Sequence, residues 1–364
     1  MAEFKIGKHP VGLNHPVYFV ADISANHDGS LDRAKMLVRF AAQAGADAAK
    51  FQNFRAAKIV SDYGFRNLGQ ISHQASWKKS VFEVYKGASI PWEWTEPLKR
   101  ECEAAGIDYF STPYDLEAVD MLDPYVEVFK IGSGDITWPE MLQKVARKRK
   151  PVLLAAGASD IGEVQRAVDI ITGENEHLSL MQCNTNYTGS LQNFGCIHLN
   201  VLKTFQTMFP ELVLGLSDHT PGHATVLGAV ALGARTIEKH FTDDTTREGP
   251  DHPFSMDPET WREMVDRTRE LERALGSSRK EVAENEKDTV VVQRRSVRAA
   301  RDLPAGTVLT REMLDVLRPA PVGSIPPYDI EKLMGRRLRS ALFSGQTLSW
   351  SSLEEPATKS SSAP

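Results

Sequence analysis

A chain of 364 residues, 41% hydrophobic and 25% charged, with a formal net charge of −5, has room for a barrel-sized domain and a small appendage. Its mild acidity argues against nucleic acid as the main partner. The N-terminal MAEFKIGKHPVGLNHPVYFV lacks the apolar core of a signal peptide, and the longest apolar run, TVLGAVALGA, is too short to span a bilayer, so no membrane association is expected. Cys102, Cys183 and Cys196 show no CxxC spacing and cannot all pair, which fits reduced thiols in a cytoplasm.

In chain order, eight strand-like runs appear: 17–23 (VYFVADI), 47–52 (DAAKFQ), 108–113 (DYFSTP), 128–133 (VFKIGS), 152–157 (VLLAAG), 178–183 (LSLMQC), 212–217 (LVLGLS) and 235–241 (RTIEKHF). Amphipathic stretches separate them, such as LDRAKMLVRFAAQAG with Leu31, Ala34, Met36, Leu37, Phe40 and Ala41 at helical spacing. Repeated strand–helix alternation implies parallel strands with right-handed crossovers, and eight units over this length predict an α/β fold, a (β/α)₈ barrel. An open doubly wound sheet is the alternative, but no strand runs into a GxGxxG turn. Residues 1–276 form this domain. Residues 277–293 are charged and read as a linker. Residues 294–354 read as a small β-rich module, and 355–364 as a disordered tail.

Barrel active sites lie at the C-terminal strand ends. There the first predicted strand offers Asp22, the second Lys50 and Gln52, the third Ser111 and Thr112, and the fourth Lys130 and Ser133. The sixth runs into Asn184–Thr185–Asn186–Tyr187, the seventh ends Ser217–Asp218–His219, and the eighth carries Glu238, Lys239 and His240. Residues two apart share a face, so Glu238 and His240 point together into the mouth. Strands about 4.8 Å apart let His219 and His240 share one divalent ion. Hydrogen bonding in a polar rim is the plainer reading. A lysine within a barrel strand needs a partner, so Lys50 and Lys130 imply either an anionic ligand or internal carboxylates.

The segments ADISANHDGSLDRAKMLV, AGADAAKFQNF, FSTPYDLEAVDML, FKIGSGDITWPEM, GLSDHTPGHATVLGAVALGA, IEKHFTDDTTREGPDHPFSM, RRSVRAARDLPAGTVLT and RPAP stand in this order. Together they resemble the sialic acid synthases, the phosphoenolpyruvate-dependent nonulosonate synthases of the N-acetylneuraminate synthase type, with a C-terminal SAF (antifreeze-like, β-clip) domain over 294–354. The resemblance implies a transferase that condenses phosphoenolpyruvate with the aldehyde of an N-acetylmannosamine-like amino sugar, giving a sialic acid and phosphate. It implies His219 and His240 as ligands of a divalent metal, manganese first, with magnesium or cobalt as alternatives. It implies Asp22, Glu238, Lys50 and Lys130 as catalytic. Phosphoenolpyruvate would meet Lys50, Thr112, Lys130, Ser133, Thr185 and Ser217, and the sugar Asp22, Gln52, Tyr187, Glu238 and Asp251. Arg318, in LRPAP, would reach the partner's barrel in a homodimer with exchanged C-terminal modules.

Asp22 stands where such synthases commonly carry Glu, Ala155 lies in LAAGA where STGM is usual, and QCNTNYTGS replaces CTSxYPxP. These changes bear on the acceptor more than on the reaction. SANH at 24–27 resembles the pseudaminic acid branch, so a pseudaminic or legionaminic acid synthase acting on a 6-deoxy-diacetamido hexose is the alternative. A Schiff-base aldolase using Lys50 or Lys130 and a carbohydrate-binding protein are the readings from other classes.

Overall fold

The chain begins with a hairpin that the periodicity did not foreshadow. In the computed structural model, which describes residues 3–68, 77 and 79–355, β1 (Glu3–Ile6) pairs antiparallel with β2 (His9–Gly12). Phe4 and Ile6 are buried, and His9 Nδ1 lies 2.8 Å from Asp108 Oδ2 at the start of a later strand. The hairpin therefore packs beside the N-terminal ends of the barrel strands, away from their C-terminal ends.

All eight predicted strands form. They are β3 (Tyr18–Asp22), β4 (Ala48–Asn53), β5 (Asp108–Pro113), β6 (Phe129–Ile131), β7 (Val152–Ala155), β8 (Leu178–Cys183), β9 (Val213–Asp218) and β10 (Ala234–His240). The parallel ladder runs β5-β4-β3-β10-β9-β8-β7-β6, and its end strands β5 and β6 approach one another. The sheet thus curls into a barrel of the (β/α)₈ type, not an open sheet. Helices alternate with the strands as expected. Ser30 caps the first, Leu31–Ala44, by accepting from Arg33 N, and Gly45 ends it at φ 96°, a conformation that suits glycine. Its inward stripe, Ala34, Leu37, Val38 and Ala41, is fully buried. A buried leucine such as Leu37 contributes roughly 1.5–3 kcal/mol.

Between β4 and β5 the chain is longer than one crossover helix requires. It forms the helices Ala56–Ile59, Asp62–Leu68 and Val81–Ala88 before Thr95–Ala105 completes the unit. The chain divides into two compact units between Gly276 and Ser277. In the second, β11 (Ser296–Ala299) pairs antiparallel with β12 (Leu314–Leu317) over a separate core that includes Val297, Leu309, Leu314, Leu338 and Leu348. Within 277–293, Lys287–Gln293 is helical. Of the predicted tail, residues 356–364 lie outside the described residues. Among the described residues no helix is long and apolar enough to cross a membrane.

Candidate active site

Strand register builds the site. Across three adjacent parallel strands His240 pairs with Asp22, and Asp22 with Lys50, so an imidazole, a carboxylate and an ammonium stand at one level. On the other side of β10, Glu238 pairs with Ser217 of β9. The side chains converge on one pocket at the C-terminal strand ends, which Gln52, Thr112, Lys130, Ser133, Tyr187, His219 and Asp251 also line.

Asp22 joins most of them. Its Oδ2 lies 2.6 Å from Lys50 Nζ and 3.5 Å from His240 Nε2, and accepts from Gln52 Nε2 at 3.1 Å. Ser24 N donates to its Oδ1 at 3.0 Å. Lys130 Nζ donates to Glu238 Oε1 at 2.6 Å, Ser217 Oγ donates to the same oxygen at 3.2 Å, and Lys50 Nζ stands 3.5 Å from it. The two lysines therefore have internal carboxylate partners, the reading that the sequence left as the alternative to an anionic ligand. All four charged groups are buried.

Burial works against each charge, and the partners decide the outcome. Burial alone would raise the Glu238 carboxyl, but Lys130 and Lys50 outweigh it and bring it down to about 2. Burial would lower Lys50, but Asp22 and Glu238 more than offset it, so its proton is held more tightly than usual. For Lys130 burial prevails, with the Lys50 charge adding to it, and its proton is held less tightly despite the contact with Glu238. Lys50 is thus the firmer cation.

The two histidines face each other with ring centroids 5.3 Å apart. Burial and the neighbouring His240 bring His219 down to about 3, so it is neutral at ordinary pH. Its Nδ1 donates to the Asn184 carbonyl at 2.8 Å, which turns the lone pair of Nε2 outward. His240 Nδ1 is buried without a hydrogen-bond partner. A neutral, oriented imidazole beside one whose Nδ1 makes no hydrogen bond and stands 3.8 Å from Asp251 Oδ2 suits a divalent cation. No group of three or more His, Cys, Asp or Glu side chains suited to a metal occurs among the described residues. A cation here would have two protein nitrogens and would leave positions for water and substrate.

Asp218, which precedes His219, serves elsewhere. Lys239 Nζ donates to its Oδ2 at 2.5 Å and to Thr220 O at 2.6 Å, and neither Asp218 nor Lys239 lines the pocket. Of the two carboxylates that adjoin the histidines in sequence, Glu238 lines the pocket and Asp218 ties β9 to β10. Thr112 Oγ1 accepts from Lys50 Nζ at 3.4 Å, and Ser133 Oγ accepts from Gly157 N at 2.9 Å. Asp251 Oδ2 accepts from Ser24 Oγ at 2.5 Å and from Ala25 N at 3.1 Å. The Tyr187 ring lies 4.3 Å from that of His219. Thr185 does not line the pocket; a Cβ added to Gly157 would lie 2.6 Å from its methyl, so that methyl packs on the loop after β7. Arg318 is exposed in the second unit, directly after β12.

Sequence reasoning missed the aromatic half of the pocket: Phe54, Trp77, Tyr85 and Tyr114. Apart from Tyr114, these come from the long β4–β5 segment, whose length was the available signal.

Fold and site define a barrel with an ion-paired, histidine-bearing mouth and a separate β-rich module. The chain belongs to the NeuB family, which matches residues 37–280, and a SAF domain matches 294–354. It is 35% identical to N,N'-diacetyllegionaminic acid synthase of Legionella pneumophila, over 96% of this chain and 98% of that one. It is 33% identical to N-acetylneuraminate-9-phosphate synthase of Homo sapiens, over 90% of each. Among solved structures, the N-acetylneuraminic acid (sialic acid) synthetase of Leptospira borgpetersenii superposes with a TM-score of 0.70 at 29% identity, covering 79% of this chain and 95% of that one.

Proposed function

We propose that this chain condenses phosphoenolpyruvate with the open-chain aldehyde of an N-acylated, N-acetylmannosamine-like amino sugar and water, forming a nonulosonic acid and phosphate. The observation that carries the reading is the meeting of two carboxylate-held lysines and two facing imidazoles in one buried mouth. Lys50 and Lys130 take the charges of phosphoenolpyruvate, with the hydroxyls of Thr112, Ser133 and Ser217 beside them. Gln52, Tyr187 and Asp251 serve the sugar. A divalent cation held by His219 and His240, manganese first, would polarise the aldehyde as a Lewis acid.

C3 of phosphoenolpyruvate bonds to the aldehyde carbon, and the aldehyde oxygen takes a proton. Water then bonds to C2, and the adduct breaks its C2–O bond to release phosphate. Glu238 suits the water's proton. As Lys130 turns to the entering anion, the interaction that holds the carboxyl down weakens and its proton affinity rises. Its Oε2, buried and without a hydrogen-bond partner, is free to accept. In this reading the protein is a cytoplasmic homodimer, and Arg318 of one subunit completes the other's mouth.

The test is phosphate release from phosphoenolpyruvate with amino sugars, before and after removal of metal. Release that needs a sugar, stops on chelation and returns with Mn²⁺ is expected. Full activity after exhaustive chelation would remove the metal role. The lowered proton affinity of Lys130 is also the direction an imine-forming lysine needs, so an aldolase is the second reading. Borohydride trapping of a substrate on the protein would establish it, since the condensation forms no imine.

A further inference from the structure

Two loops meet at the side of the mouth where Asp251 stands, and a buried histidine outside the pocket joins them. One loop follows β3 and includes Ser24–His27 and Asp28; the other follows β10 and carries Asp251 into the pocket. The Asp251 carboxylate is aimed by the first loop, since its Oδ2 accepts from Ser24 Oγ at 2.5 Å and from Ala25 N at 3.1 Å. The same oxygen stands 3.8 Å from His240 Nδ1. The next residue, His252, is fully buried and does not line the pocket. Its Nε2 lies 3.0 Å from Asp28 Oδ1, and its Nδ1 lies 2.7 Å from Thr242 Oγ1. A carboxylate only accepts, so Nε2 donates to Asp28, and in the neutral ring Nδ1 accepts from the Thr242 hydroxyl. One nitrogen thus belongs to each loop.

The ring has little freedom to move. A Cβ at Gly249 would lie 2.6 Å from His252 Cδ2 and 3.2 Å from its Nε2, so the chain passes directly over the ring. Asp28 is fixed in turn. Arg247 donates to its Oδ2 through Nε at 3.0 Å and Nη2 at 2.6 Å, and Arg33 Nε stands 3.1 Å from that oxygen. Burial raises the Asp28 carboxyl, but His252 and Arg247 outweigh it and hold it below the usual carboxylate range. Asn26 Nδ2 also donates to Phe241 O at 2.9 Å and to Ser255 Oγ at 2.8 Å, so the loops stay joined when the histidine is changed.

Resting on the condensation reading above, we propose that Asp28 and His252 are a positioning pair for the sugar. Their hydrogen bond locks the loop after β10 to the loop after β3 and holds the Asp251 carboxylate where the sugar binds. Phosphoenolpyruvate depends on other supports, because Lys50 and Lys130 stand on β4 and β6 and are held there by Asp22 and Glu238. The pair therefore acts on one substrate and not the other.

The experiment measures phosphate release by the full chain with a panel of amino sugars, varying sugar and phosphoenolpyruvate in turn. His252→Phe keeps the bulk of the ring without its nitrogens. Asp28→Gly removes the carboxylate at φ 52°, a left-handed backbone that glycine adopts freely. Gly249→Ala pushes the ring aside with both partners present. Each should raise the KM for sugar about tenfold or more, within the range that a misplacement of about 1 Å produces, and leave the KM for phosphoenolpyruvate unchanged. His252→Gln, whose amide nitrogen reaches the place of Nε2, should retain the wild-type KM for sugar. Asp28→Gly/His252→Phe should lose no more than the worse single variant, because both remove one contact. Circular dichroism confirms folding, and if His252→Phe does not fold, Asp28→Gly and Gly249→Ala decide. An unchanged KM for sugar in the folded variants, an equal rise in both KM values, or additive losses in the double variant overturns the inference while the condensation stands. Absence of phosphate release by the wild type with every sugar overturns both.

Discussion

Removing Lys130 leaves Glu238 ionised beside Lys50 alone, and removing Lys50 leaves Asp22 without its 2.6 Å partner. Stripping one partner from a buried ion pair costs about 3–5 kcal/mol. Lys50→Met and Lys130→Met should therefore lower stability as well as raise the apparent KM for phosphoenolpyruvate or abolish activity. Denaturant midpoints separate the two effects: Lys130→Met/Glu238→Gln should regain stability over Lys130→Met without regaining activity. Unchanged KM in both single variants would contradict the anion site. A second test lies outside the pocket's ion pairs. Asp135 Oδ2 is buried without a partner, and burial raises its carboxyl to about 6. The folded state thus holds this proton more tightly than the unfolded one, so its contribution is full below about pH 4 and is lost as pH rises to about 6. Asp135→Asn should flatten that decline and stabilise the protein at pH 7 by at most about 3 kcal/mol, at 1.36 kcal/mol per unit; urea titrations at pH 4 and pH 7 would show it. At this scale the sequence revealed which side chains face the mouth, because alternation in β4 and β10 is strict. It left open who pairs with whom. That Asp22 serves Lys50, and that Asp218 turns away to Lys239, depends on register between strands distant in sequence.

In the proposed reaction the loop after β7 backs the phosphoenolpyruvate side of the mouth, through the hydrogen bond from Gly157 N to Ser133 Oγ. A Cβ at Gly157 would lie 2.6 Å from Thr185 Cγ2, 2.9 Å from Ser133 Oγ and 3.1 Å from Cys183 Sγ. Overpacking of this kind costs about 1–3 kcal/mol and here would displace Ser133. Gly157→Ala should keep the fold by circular dichroism yet lower kcat/KM for phosphoenolpyruvate at least about tenfold, the effect of about 1.4 kcal/mol in the transition state. Wild-type kinetics would show that the loop has no part in the site. Strand and helix periodicity made the eight barrel units legible, since the strands are buried on both faces and most of their helices, such as Leu31–Ala44 and Ile161–Thr172, show one apolar stripe. The β1–β2 hairpin escaped because its strands are four residues long, too short for a period to register, and Pro10 argues against a strand. The aromatic wall of the pocket escaped because Phe54 and Tyr114 follow strand ends and Tyr85 stands on a short helix, Val81–Ala88, and their meeting over the mouth is a tertiary matter.

At the scale of the molecule, the two units have separate cores, which the composition change after residue 276 had signalled. Removal of residues 277–364 should leave a folded barrel with little synthase activity. Arg318→Ala should lower activity without changing the oligomeric state. If the arginine acts in trans, subunits carrying Arg318→Ala mixed with subunits carrying His240→Ala should form heterodimers with one intact site, restoring at most about half the activity per dimer. Absence of recovery after subunit exchange, confirmed by mass spectrometry, would place the arginine in its own chain or outside the site. In the proposed condensation, phosphoenolpyruvate gives up phosphate by cleavage of its C–O bond after forming a carbon–carbon bond to a sugar aldehyde. This cleavage is tested most directly with ¹⁸O in the bridging position and mass analysis of both products. The mechanism predicts that the label leaves with phosphate; its retention in the sugar acid would contradict it.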